Sequence, residues 1–171
     1  YTDGGFQENI KSNATYTRLK SIFEIGAIPE ELENINLEFS PVDYVAKAVR
    51  LIIWSDKCDN RIFNIYNPNF LEVSELQKII ENKKYHIELI PHDKFTELIK
   101  EMSENEEDQK KIAGIINDFT DNDDLVYKYT IEQKNKITCE YLKKLDFTWN
   151  KIDDIYIYKL IKYMKKVKFI K

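Results

Sequence analysis

Apolar residues recur at helical spacing over most of this chain, and short alternating runs separate the helical stretches. Phe6, Ile10, Ala14, Thr17 and Ser21 fall on one face, thickened by Leu19, Ile22 and Phe23, so a helix is predicted over residues 7–25. Gly26 stands where a left-handed terminal residue belongs, and Pro29 bars continuation. Residues 37–39 read as a short extended piece. Ser40-Pro41-Val42-Asp43 then reads as a helix start. A Ser40 cap accepts from a free N–H, Pro41 supplies the φ of the first helical position, and Asp43 sets a carboxylate at the positive end of the dipole. Val45, Ala46, Val49 and Ile52 carry this helix to about Trp54.

The run Ile62-Phe-Asn-Ile-Tyr66 alternates like a strand, and Asn67-Pro68-Asn69 ends it. Ser74-x-x-Gln77 has the form of a capping box and opens a helix to about residue 82. Residues 86–90 alternate as a second strand closed by Pro91, and helices are predicted over 93–102 and 108–117, joined by an acidic connection. Asp121, Asp123 and Asp124 lie in a second acidic loop that lacks the Gly and the distal Glu of an EF-hand, so no metal site is expected. A helix over 137–144 is expected to stop at a left-handed Asp146. The last helix, over 153–168, buries Ile157, Leu160, Ile161 and Met164. With no internal repeat and no low-complexity linker, the expectation is one helix-rich α/β unit over residues 1–171.

Composition narrows the function classes. Hydrophobic residues make up 43% of the 171, with eleven Tyr and nine Phe, enough for a real core. A net charge of −4 without a clustered basic surface argues against nucleic acid. Lys162, Lys165, Lys166, Lys168 and Lys171 form a local basic run, read as the polar face of a helix rather than a membrane patch. Two cysteines, Cys58 and Cys139, offer neither zinc spacing nor a disulfide framework, so a reducing, cytoplasmic setting is the expectation. No apolar run approaches the roughly 20 residues of a membrane span, and no signal-peptide pattern opens the chain. Gly4, Gly5, Gly26 and Gly114 spell neither G-x-G-x-x-G nor a P-loop. The chain starts at Tyr1, directly in a turn-like Thr-Asp-Gly-Gly, so it is expected to be a piece of a longer protein.

Several segments resemble extended short-chain dehydrogenase/reductases. Phe39-Ser-Pro-Val-Asp-Tyr-Val-Ala46 is similar to the segment that opens a helix after a short strand in that family, and Phe63-Asn-Ile-Tyr-Asn-Pro68 to the strand that follows. Asp3-Gly-Gly-Phe-Gln7, Asn13-Ala-x-Tyr-Thr-Arg18 and Glu24-Ile-Gly-Ala-Ile-Pro29 resemble one subgroup more narrowly, the terminal thioester reductase domains of nonribosomal peptide synthetases, relatives of fatty acyl-CoA reductases. So does the tail Thr138-Cys-Glu-Tyr-Leu-Lys-Lys-Leu-Asp-Phe-Thr-Trp149. The resemblance runs from Tyr1 to the C-terminus. It departs at Asp146, where Gly is usual, and at Asn150, where Pro is usual. The family's Gly-rich loop and Tyr-x-x-x-Lys pair have no counterpart. Tyr158 and Lys162 have the spacing of that pair but fall in an amphipathic helix, and they are read as structural.

The resemblance implies the C-terminal substrate-binding lobe of such a reductase, without its Rossmann half. The intact domain would use NADPH to release a peptidyl or acyl thioester from the phosphopantetheine of a carrier protein as aldehyde or alcohol. This piece alone is expected to be inactive, with no bound cofactor and no catalytic residue of its own. The first helix is the expected wall of the substrate cleft: Phe6, Ile10 and Ala14 either face the acyl chain or belong to the core, Asn9 and Asn13 lie toward pantetheine amides, Arg18 toward a phosphate or carboxylate, and Tyr1 at the border. Asp43 is read as a dipole complement, Tyr44 as packing, Asn64 and Asn67 as partners of strand-end backbone groups, and His86 and His92 as non-catalytic. Two further readings stay open. One is a lobe of a sugar-nucleotide epimerase or dehydratase, which shares the Pro-Val-Asp and Asn-Pro segments. The other is a carrier-protein docking module with Lys165 and Lys166 on its docking face.

Overall fold

The computed structural model describes residues 6–55, 61–83, 85–116 and 134–171. A 3-10 turn at Ile10–Ser12 leads into α1, Ala14–Ile25. The helix starts later than its apolar period predicts because Asn13 takes the capping role: its Oδ1 accepts from the N–H groups of Thr15 and Tyr16, at 3.0 and 3.4 Å. Gly26 ends α1 at φ 75°, as expected. β1, Ala27–Pro29, follows at once and pairs in parallel with β4, Glu88–Ile90, in the register Ala27 to Glu88. Between them lie β2 (Asn36–Leu37), α2 (Val42–Ile53), β3 (Leu71–Glu72) and α3 (Val73–Glu81), with β2 and β3 antiparallel. Then come α4 (His92–Ser103), α5 (Glu106–Ile112), α6 (Lys136–Lys143) and α7 (Asp154–Lys166).

Three apolar clusters hold these elements. The main one joins α1, α3 and α7 through Leu19, Leu76, Ile80, Ile157, Leu160, Ile161 and Met164, so the predicted face of the last helix is the buried one. A second packs α4 and α5 under β1 through Ala27, Phe95, Ile99 and Ile112. The third sets α2 against α6 and the tail through Ala48, Ile52, Leu142, Phe147 and Trp149. Asp146 sits at φ 55°, as expected, and lets the Phe147 N–H reach back to the Leu142 carbonyl at 3.1 Å. Lys168, at φ 57°, ends α7 the same way, with Phe169 N–H on the Met164 carbonyl at 2.8 Å.

Several expected details differ. Residues 62–66 form no strand: Phe63 and Ile65 pack toward the third cluster, but no strand among the described residues lies alongside to complete a ladder. Ser40 does not cap α2. Pro41 stands at that position, and the Ser40 hydroxyl instead donates to Glu38 Oε1 at 2.5 Å and accepts from the Asn67 N–H at 2.8 Å. The Ser74-x-x-Gln77 capping box does not form, because Gln77 Nε2 donates to the Ile87 carbonyl at 2.8 Å and so ties α3 to the strand after it. The acidic connection before residue 108 is shorter than expected, since Asn105 caps α5 at Glu106 and three acids enrich its first turn. Cys58 and the Asp121–Asp124 loop lie outside the described residues.

Two close contacts fix the packing. The Gly114 N–H donates to the buried Ser21 hydroxyl of α1 at 3.0 Å. A Cβ on Gly114 would lie 2.0 Å from the Thr17 carbonyl oxygen, so only glycine lets the end of α5 rest on α1. Elsewhere Asn67, 0% exposed, donates through Nδ2 to the carbonyls of Phe39 and Asn150, both at 3.1 Å. Its Oδ1 accepts from the Asn69 N–H at 3.1 Å, and Asn69 Nδ2 donates to the same Asn150 carbonyl at 2.8 Å.

Gly114→Ala is expected to lower unfolding stability by about 3 kcal/mol, through overpacking against fixed backbone. Urea titration checks it, and a loss below about 1 kcal/mol would show that α5 can slide off α1 without penalty. Asn67→Ala is expected to cost about 3 kcal/mol, since it takes the partners from the Phe39 carbonyl and the Asn69 N–H, against about 1 kcal/mol for Asn69→Ala. Equal losses from the two would refute the central place of Asn67.

Candidate functional site

A cleft of about 500 Å³ opens where three segments distant in sequence meet: the stretch around Phe6 with the start of α1, the loop 38–42, and α7. Its apolar side is built by Phe6, Tyr16, Leu19, Phe39, Pro41, Tyr156 and Leu160. Gln7, Glu8, Asn13, Thr15, Glu38 and Ser40 supply the polar side, and Val42 stands at 78% exposure on the rim. The rings interlock. Phe6 meets Tyr156 edge to face at 5.9 Å and Tyr163 at 5.4 Å, and Phe39 meets Tyr156 edge to face at 5.9 Å.

The wall near Phe6 is held by its backbone. Tyr163 Oη donates to the Gln7 carbonyl at 2.9 Å, and Asn13 Nδ2 donates to Gln7 Oε1 at 2.8 Å. Burial pushes the Tyr16 phenol above the ordinary tyrosine range, and a hydrogen bond with the Gln7 backbone pulls it partly back. On the opposite wall the Asn67 bonds hold Phe39, and Asp153 caps α7 by accepting from the Tyr156 N–H at 2.9 Å.

Of the residues expected at a substrate wall, Phe6 and Asn13 line the cleft. Ile10 does not: it is 3% exposed and belongs to the main core. Asn9 is exposed outside the cleft, and its carbonyl accepts from Gln7 Nε2 and the Ser12 hydroxyl, each at 3.3 Å. Ala14 and Arg18 lie on α1 away from the lining, and Tyr1 is outside the described residues. Tyr16, Leu19, Phe39, Tyr156, Leu160 and the acids Glu8 and Glu38 were not expected at the site, although Leu19 and Leu160 fall on predicted buried faces and Tyr16 and Phe39 lie in the segments that carry the resemblance. For the three rings the signal was an aromatic near the start of each bordering segment.

Chemically the cleft offers binding surface. Ser40 pairs with Glu38, and no histidine is among the described lining residues. His86 pairs with Glu88 at 2.7 Å and His92 with Glu31 at 3.1 Å, both away from the lining. Burial pushes the Cys139 thiol up, with a hydrogen bond from Trp149 opposing, which disfavours the reactive thiolate. Among the described residues no group of His, Cys, Asp and Glu could hold a metal ion, and no helix is long and apolar enough to cross a membrane.

Tyr16 gives the cleft a signature at alkaline pH. A phenol whose folded pKa is raised contributes stability below its unfolded value, about 10, and loses it as pH rises through the folded value. The unfolding free energy of the wild type, relative to Tyr16→Phe, is therefore expected to fall once pH passes about 10. Urea titrations of both proteins on either side of that pH check it, and parallel curves would show that Tyr16 ionises freely.

No protein-family profile matches the chain. It is similar to a linear gramicidin synthase polypeptide of Brevibacillus parabrevis, with 23% identity over 146 residues, covering 85% of this chain and 3% of that protein. It superposes on a thiolation-reductase di-domain from an archaeal nonribosomal peptide synthetase with a TM-score of 0.82 and 25% identity, over 100% of this chain and 34% of the other. The terminal R domain of the myxalamid PKS-NRPS pathway gives 0.78 and 15% identity, over 98% of this chain and 41% of the other. The chain thus spans less than half the length of each of these solved structures and a small fraction of the gramicidin synthase. Along its whole length it has the helix-rich α/β fold of part of a nonribosomal peptide synthetase terminal reductase domain.

Proposed function

We propose that this chain is the substrate-binding portion of a thioester reductase. The intact domain would release a carrier-bound peptidyl or acyl thioester as aldehyde or alcohol, with NADPH as the reductant. The observation that carries this reading is the whole-length match to a thiolation-reductase di-domain, and this chain's aromatic cleft is of a size to take an acyl chain.

The cleft does not fit the cofactor. Glu8 and Glu38 are the only charged residues among the described lining, whereas a dinucleotide's pyrophosphate needs convergent N–H groups or cations. NADPH is therefore assigned to the rest of the reductase domain. The task left to this chain is to bind and orient. Phe6, Phe39, Tyr156 and Leu160 take the acyl chain out of water, while Asn13, Gln7 and Thr15 border the polar edge, where pantetheine amides would run. The partner implied is a carrier protein bearing the phosphopantetheine arm.

A stable caproyl-pantetheine amide is expected to shift the ring resonances of Tyr16 and Tyr156 in NMR titration of this chain. Thr15→Trp, an exposed position on the lining, is expected to weaken that binding about tenfold without lowering the melting temperature. The same titration with NADPH should leave those resonances unmoved. If NADPH shifts them and the acyl analogue does not, the cleft belongs to the cofactor and the assignment falls.

A further inference from the structure

The charge of the cleft narrows the substrate class, given the acyl-site reading above, on which this inference rests. Among the described lining residues, Glu8 and Glu38 bring carboxylates and no lysine or arginine answers them. This holds in a chain with 26 basic residues, so cations are abundant in the sequence and absent from the described lining. Both acids are exposed at the edge of an apolar hollow bordered by Phe6, Tyr16, Phe39 and Tyr156. Aromatic rings beside carboxylates favour a cation twice over: the ring quadrupole attracts it, and the carboxylates complete its charge. The same pair of acids repels a phosphate, so the anionic end of a phosphopantetheine arm is kept out and the acyl end faces inward.

We infer that the cleft selects an acyl or short peptidyl chain that carries a free ammonium group. A peptidyl chain held as a thioester through its C-terminal carbonyl has such a group at its N-terminus unless that amine has been acylated. The class implied is thus an N-terminally free peptidyl, or an amino-acyl chain with a terminal amine. A neutral fatty acyl chain would gain only the apolar contacts, and a dicarboxylic acyl chain would lose against both acids.

Three stable analogues of one length separate these cases: the pantetheine amides of ε-aminocaproic, caproic and adipic acid, titrated into this chain. The ammonium analogue is expected to bind about tenfold tighter than the neutral one, and the carboxylate analogue weakest. The preference should shrink as salt is added. In Glu8→Gln/Glu38→Gln the ratio of ammonium to neutral binding should fall to about one. Both positions are exposed, so the variant keeps its core, which its melting temperature verifies. Equal binding of the ammonium and neutral analogues overturns the ammonium preference and leaves the acyl site standing. A preference that survives in the double variant also overturns it, since the cation would then be read elsewhere. If no analogue binds, the acyl-site reading itself falls and takes this inference with it.

Discussion

The buried amide of Asn67 is the constraint from which the arrangement of this chain follows. An amide removed from water must find partners for its donors and acceptor or lose the free energy of hydration. Asn67 finds them on three separate segments: the Phe39 carbonyl before α2, the Asn150 carbonyl before α7, and the Asn69 N–H in its own turn. Its backbone N–H is taken by the Ser40 hydroxyl. These bonds have directions, so they set the position of each segment to within a fraction of an ångström, which apolar contact alone does not do. Phe39 and Pro41 make one wall of the cleft, and the tail after Asn150 delivers Tyr156 and Leu160 to another. One side chain therefore joins the two walls, and the main apolar cluster packs α7 behind them.

The parts of the fold legible in the chain are those decided by local physics. Helical periodicity located α1, α2 and α7 because the buried stripe repeats along one element, as Ile157, Leu160, Ile161 and Met164 show. Gly26 and Asp146 were readable because few residues accept a left-handed backbone. The misreadings have a common cause. Ser40, Ser74 and Gln77 are good capping residues, but a hydroxyl or amide goes to the strongest partner that the tertiary structure offers. Ser40 found Glu38 and Asn67, and Gln77 found the Ile87 carbonyl. Residues 62–66 alternate correctly and still make no strand, because a ladder needs a neighbour that alternation cannot supply.

The cleft was only partly legible for a different reason. Phe6 and Asn13 were anticipated because they sit in the segment that resembles a reductase wall. Phe39 and Tyr156 come from stretches that the Asn67 bonds tie together, and Tyr16 from α1, which the main apolar cluster packs beside α7; no local pattern announces either. Ile10 settles on the core, the other of the two readings open for it. It shares a helical face with Phe6 by periodicity, but the turn at Ile10–Ser12 breaks the helix register, and its side chain goes to the core instead of the cleft.

Charge divides the last helix in the same functional sense. The edge of α7 that carries Tyr156 and Leu160 faces a cleft bordered by Glu8 and Glu38. Its exposed positions carry Lys162, Lys165 and Lys166, and the Lys165 ammonium lies 4.7 Å from the centre of the Tyr85 ring. A ligand with a cationic head and an anionic tail, brought to this helix, meets opposite potentials on its two sides and has one favourable orientation. Neither side needs strong binding for this. With solvent screening over about 10 Å at ordinary ionic strength, each contact is weak, but their opposite signs still favour one orientation over the reverse. In the proposed reading that orientation puts the acyl end in the cleft and the phosphate end toward the lysines.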